Sequence, residues 1–262
     1  MTLLALASLL LLEVAGTGGS APKSEGGNAP SLASAVLACY NFNEAGGDRS
    51  DSGPNGLKLT ENGTVGAVSG VVGDAASFDG IEANFLDHAH TDVLSNISDD
   101  FAVTAWVNLS NKATNQCIAG KFHSAGEAMS PAEWTLCYFL GLGDRFGFLF
   151  YPVFNLSPFS AVLADTFGAP DAATWYFLYG EWDNARGVMC ISVNNGPKDC
   201  KMYQAPLGRR SVVAPFTVGK IDHSTTPNQL WGFVDVLALY RRKLSRTELA
   251  TMYNSGNGAA CP

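Results

Sequence analysis

The chain has 262 residues, a formal net charge of −8, only 15% charged residues and 47% hydrophobic ones. That apolar content supports a sizeable core, and about 230 residues remain once 1–31 are set aside, which suits a single domain better than two. The acidic balance argues against nucleic acid or an anionic membrane surface as partner, because both require a basic patch; it leaves a neutral glycan, a protein surface or a bound cation.

In chain order, Leu3 to Leu12 is an apolar run of signal-peptide length, too short to span a bilayer. Glu13 closes it, and no Lys or Arg precedes Lys23. Two expectations follow for residues 1–31: a secretory signal with a tether, or an arm that docks on a partner. Residues 17–31, rich in Gly, Ser, Pro and Ala, read as the tether. Residues 32–262 are expected to form one domain, with no linker-like stretch inside it.

From there short β-type runs alternate with Gly, Asn and Asp turns. The expected strands are Val36–Phe42, Ala75–Phe78, Phe101–Leu109, Gln116–Phe122, Trp134–Leu142, Phe146–Tyr151, Trp175–Trp182, Val188–Val193, Val213–Val218 and Gly232–Tyr240. Both alternate faces of Phe101–Leu109 are largely apolar, as in a strand packed on both sides. One helical turn is signalled late. Ser245-Arg-Thr-Glu248 is a capping box, followed by Leu249, Met252 and Tyr253 on one face. Many strands with one late helix predict an all-β fold, a two-sheet antiparallel jelly-roll β-sandwich.

Six cysteines allow fifteen pairings. Cys190 and Cys200 lie equidistant from Asn195 in an Asn194-Asn-Gly196 turn, so a hairpin sets them opposite each other. Cys39 opens the first strand and Cys261 lies in the tail, so a sandwich whose termini meet joins them. Cys117 and Cys137 remain, each in an apolar run. Three disulfides imply an extracellular or surface-exposed protein; the alternative is six buried thiols.

Five segments in order resemble the laminin-G-like jelly-roll domains of the concanavalin A-like lectin/glucanase superfamily. They are Tyr40-Asn-Phe-Asn-Glu44 with Asp51-Ser-Gly-Pro-Asn-Gly56; Ala76-Ser-Phe-Asp-Gly80; Phe101 to Val107; Trp175 to Asp183 with the Cys190 hairpin; and Gly232 to Tyr240 with Leu244-Ser, Glu248-Leu and Tyr253-Asn-Ser-Gly256. The resemblance covers roughly residues 36 to 258, and it implies architecture better than activity.

The superfamily includes glucanases and lyases. Retaining glycosidases need two carboxylates about 5 Å apart, and jelly-roll glucanases place them as Glu-x-Asp-x-Glu on one strand. The nearest approach here is Glu181-Trp-Asp183, and position 185 is Ala. No enzyme is therefore expected. The expected function is a non-catalytic carbohydrate-binding or adhesion module, its partner a glycan or a cell-surface or particle-surface protein. The alternative is a structural or decoration protein on a virus particle or extracellular appendage. Tyr151, Phe154 and Trp182 are candidates for ligand contact. The resemblance also raises a structural calcium ion, at Asp51, Asp79, Asn84 and Asp235, since oxygen-rich loops suit it. His88-Ala-His90 sets two imidazoles on one face only if it is extended. Asn62, Asn96, Asn108 and Asn155 begin glycosylation sequons.

Overall fold

The computed structural model describes residues 31–95, 100–124, 132–150, 161–203, 212–223 and 228–262. The N-terminal apolar run therefore lies outside the described residues. The strands, in chain order, are β1 (Val36–Tyr40), β2 (Thr60–Asn62), β3 (Gly66–Ser69), β4 (Asp74–Asp79), β5 (Phe85–His88), β6 (Phe101–Leu109), β7 (Gln116–Ser124), β8 (Ala132–Phe139), β9 (Arg145–Phe150), β10 (Ala161–Leu163), β11 (Trp175–Asp183), β12 (Val188–Val193), β13 (Asp199–Met202), β14 (Phe216–Val218), β15 (Asp222–His223) and β16 (Trp231–Tyr240). Three helices join them: α1 (Leu32–Ala35), α2 (Asp92–Ser95) and α3 (Arg246–Tyr253).

Two antiparallel sheets result. The first runs β13-β12-β11-β6-β16-β4-β3, with β1 also paired to β16. The second runs β10-β9-β8-β7-β14-β5-β2, with a short parallel bridge from β15 to β7. All ten strands expected from the sequence form, with ends shifted by a few residues at most positions. The strands missed are only two to four residues long, too short for period-two alternation to show, such as Thr60–Asn62 and Ala161–Leu163.

Period-two alternation explains the packing. On β6, Phe101, Val103, Ala105, Val107 and Leu109 enter the core between the sheets, while Ala102 and Trp106 face outward. That outer face belongs to a second apolar layer made with α1 and α3, so every residue of β6 is buried. Aromatic rings fill the inter-sheet core: Trp182 stacks on Phe150 at 4.6 Å, and Phe101 meets Trp134 at 5.2 Å.

The helix α3 starts where the capping box predicts. Ser245 Oγ accepts from the Glu248 N–H at 3.2 Å, and Glu248 Oε2 accepts from the Ser245 N–H at 2.8 Å. Leu249 and Met252 are buried, and the Tyr253 ring lies on Trp106 at 5.8 Å.

Three disulfides close: Cys39–Cys261, Cys117–Cys137 and Cys190–Cys200. The last two join residues directly opposite each other on paired strands. Asn194 and Asn195 both take positive φ, the geometry of a tight hairpin turn, and so set Cys190 against Cys200. Such bonds form in oxidising compartments. No helix among the described residues is long and apolar enough to cross a membrane.

Candidate functional site

The oxygen-bearing residues singled out by sequence each hold backbone. Asp51 accepts from the N–H groups of Cys39, Gly53 and Leu57 at 2.7–2.9 Å, so it fastens the turn after β1. Asp79 accepts from the Ile81 N–H and from the Asn84 amide, both at 2.9 Å, while Asn84 Oδ1 accepts from the Thr64 N–H. The fold thus brings Asp79 and Asn84 together and gives Asp51 and Asp235 separate turns.

Asp235 sits at a β-bulge. Asp235 and Val236 both face outward, Leu237 returns to the core, and Val236 is forced to φ 39°. The fully buried carboxylate collects the backbone donors around it, Val71 and Val72 on Oδ2 and Val236 on Oδ1, at 2.7–2.8 Å. Burial raises its pKa to about 6 against the pull of those three bonds. Among the described residues no group of three His, Cys, Asp or Glu side chains gathers as a metal site. His88 Nδ1 is bonded to the Lys58 carbonyl oxygen and His90 Nδ1 to Ser95.

Glu181 and Asp183 do share one face of β11, and both line a cleft of about 370 Å³. Its other walls are Arg186, Val188, the Cys190–Cys200 disulfide, Lys198, Lys243 and Leu244. Lys198 donates to both oxygens of Glu181 at 2.9 Å, and the Tyr179 hydroxyl donates to Oε2 at 2.5 Å. Asp183 is bound by the Lys243 ammonium and by the Arg186 N–H. Burial alone would push the Asp183 carboxyl up; the Lys243 and Arg186 bonds outweigh it and hold the group below the usual carboxylate range. That ionised state suits a nucleophile or base, whereas a general acid needs the opposite shift.

The candidate aromatics separate sharply. Trp182 is 1% exposed and stacked on Phe150, so neither face of its ring is open to a ligand. Core packing explains the correction: residue 182 alternates inward between Glu181 and Asp183. Tyr151 and Phe154 lie outside the described residues, as do the sequons at Asn96 and Asn155. Asn62 is partly exposed, whereas Asn108 is 7% exposed and a poor acceptor for a glycan.

The most exposed aromatic among the described residues is Trp231, 55% exposed at the start of β16. Its backbone is pinned on both sides: its N–H donates to Gln116 Oε1 at 2.8 Å, and its carbonyl accepts from the Ser110 N–H at 2.9 Å. Its side chain packs on Gly80, where a Cβ would come within 3.3 Å. The cross-strand partner of Trp231 is Asp79, whose carboxylate carries the Asn84 amide. One row further in, Trp175, Asn108, Phe233 and Ser77 stand side by side across four strands. Trp175 and Phe233 are half-buried, their rings 6.3 Å apart, and Asn108 Oδ1 has no hydrogen-bond partner among the described residues.

Ile81, Leu140, Leu142 and Phe167 occupy loops at this same end of the sandwich. With Trp231 they make five of the eight exposed large apolar residues among the described ones, so the exposed apolar surface is concentrated there. The sequence reading missed Trp231 as a site because its alternation with Phe233 and Asp235 is that of any half-buried strand. The signal available was its place beside the Gly80 turn.

No protein-family model matches the chain, and no curated protein matches it. Solved structures do. The binding domain of Paraclostridial Mosquitocidal Protein 1 is 12% identical, with a TM-score of 0.66 over 86% of this chain and 53% of that one. A Trypanosoma rangeli sialidase in complex with sialic acid is 12% identical, with a TM-score of 0.60 over 84% of this chain and 33% of that one. Domain 4 of AbnA, a GH43 extracellular arabinanase from Geobacillus stearothermophilus in complex with arabinotriose, is 19% identical, with a TM-score of 0.57 over 86% and 98%. The chain therefore spans about half of the first structure and a third of the second. At these identities the likeness shows a shared β-sandwich fold.

Proposed function

We infer that the chain is a non-catalytic, extracellular carbohydrate-binding or adhesion module of laminin-G-like, concanavalin A-like type. The observation that carries this reading is the exposed Trp231, backed by Gly80 and bordered by the Asp79–Asn84 carboxylate and amide. An indole face stacks on the apolar face of a sugar ring, while neighbouring amides and carboxylates bond its hydroxyls. The fold likeness agrees with it, since the similar structures include a sugar complex and a toxin binding domain. The acidic chain favours a neutral or weakly charged glycan at this end. The non-catalytic half rests on the sequence, which lacks the Glu-x-Asp-x-Glu triplet of jelly-roll glucanases and carries Ala at position 185, after Glu181 and Asp183.

A glycan array on the intact chain, with and without EDTA, tests the reading and also registers any calcium contribution. Binding to a defined set of glycans is expected, with affinity falling about ten-fold or more in Trp231→Ala, the scale of one lost stacking contact. No binding in calcium would turn the reading toward a display scaffold, and binding of neutral glycans indifferent to Trp231 would overturn Trp231 as their site.

A further inference from the structure

The cleft at the opposite end of the same sheet face holds chemistry that stacking at Trp231 does not use. Its two carboxylates are already matched. Glu181 is held by Lys198 and Tyr179, and Asp183 by Lys243, an ammonium that Asp100 shares at 3.4 Å. Each carboxylate side chain is only 8% exposed, whereas Lys198 and Lys243 are each 34% exposed. Among the lining groups the cations are outermost, on a chain whose net charge is −8, while Asp100 beside Lys243 is 28% exposed.

Arg186 is the lining group with bonding capacity to spare. Its backbone N–H donates to Asp183 at 3.0 Å, but its guanidinium approaches that carboxylate only through Nε, at 4.0 Å. The side chain is 80% exposed, and neither Nη group has a partner among the described residues. A guanidinium stays charged at any physiological pH and presents a planar fork matched to a carboxylate. The remaining walls, Val188, Leu244 and the Cys190–Cys200 disulfide, are apolar and suit the body of a ring. A volume of about 370 Å³ lies near the lower end of small-ligand sites, roughly 300–1,000 Å³, and so fits one or two sugar residues.

We propose that this cleft is a second binding site, which takes a carboxylate-bearing sugar residue. The ligand carboxylate sits on the Arg186 fork between Lys198 and Lys243, and its hydroxyls donate to the inner edges of Glu181 and Asp183. The site goes beyond the glycan reading at Trp231 and stands or falls apart from it.

Calorimetric titration of the full chain with D-glucuronate and with N-acetylneuraminate tests the proposal, with D-glucose and acetate as controls. Saturable binding of at least one acidic sugar is expected, about ten-fold or more above both controls. Arg186→Gln should lower it about ten-fold or more, the scale of a charge-assisted bidentate bond. Because Arg186 is exposed, that variant should unfold at the wild-type temperature, and Trp231→Ala should leave the titration unchanged. Absence of saturable binding by both acidic sugars, equal binding of glucose or acetate, or binding that survives Arg186→Gln would each overturn it. Loss of the Trp231 reading is seen separately, on the glycan array.

Discussion

Two neighbouring rows on the outer face of the β6 sheet have nearly the same makeup and opposite fates. In one, Phe177, Trp106 and Asp235 stand in register across β11, β6 and β16. In the next, Trp175, Asn108 and Phe233 do the same. Tyr253 of α3 lies on Trp106 and within 5.9 Å of Phe177, and the Val71–Val72 turn closes over Asp235. Nothing comparable roofs the second row among the described residues, and beyond it Trp231 stands in solvent. Aromatic content does not decide which row is core and which is surface. The landing place of one short helix and one turn decides it, and both arrive from far along the chain.

The comparison breaks first at Trp106. Its truncation to Ala empties a site closed by Phe177 and Tyr253, so a loss of about 3–5 kcal/mol is expected in urea unfolding. A loss below about 1 kcal/mol would mean that α3 is a loose cover. Asp235→Asn comes next. The carboxylate accepts three N–H groups through two oxygens; an amide must turn an NH₂ toward at least one of those donors. The expected cost is about 1–3 kcal/mol, the penalty for buried donors left unmatched, and it should loosen the Val71–Val72 turn in hydrogen exchange.

Much of the covered row was legible in advance. Alternation on Phe101–Leu109 predicts a strand buried on both sides, and the Ser245–Glu248 box fixes where the covering helix begins. The Asn194-Asn195 turn sets Cys190 opposite Cys200 for a local reason that a sequence carries. The open row was not legible, because exposure is decided by what fails to arrive. Trp182 and Trp231 each sit in strands with apolar neighbours, yet one is stacked in the core and the other is in water. Asp235 carried a partial signal, a charge within an apolar strand. The bulge that redirects it depends on pairing with β6 and β4.

The anchoring of the cover should also depend on pH. Arg242 bonds both oxygens of Glu248 at the start of α3, and that pairing draws the Glu248 carboxyl down to about 2. An unfolded Glu titrates near pH 4.3. A lowered folded pKa stabilises the protein above the unfolded value and is lost as pH falls through the folded one. Stability should therefore fall between about pH 4.5 and 2, by roughly 1 kcal/mol for this partly exposed pair. Glu248→Gln should remove that part of the slope when unfolding is followed across the range.

The smallest effect on stability is the most informative about the open row. Trp231 keeps its place through backbone bonds to Gln116 and Ser110, which Trp231→Ala leaves intact. Its side chain is more than half in water, so thermal unfolding should shift by no more than about 0.5 kcal/mol. Set beside Trp106→Ala, this separates two uses of the same residue type on one sheet face. Trp106 should govern stability and leave glycan affinity to follow the folded fraction, whereas Trp231 should govern affinity alone. A Trp231→Ala protein that unfolds as easily as Trp106→Ala would show that the open row is covered in solution, and that its indole serves packing.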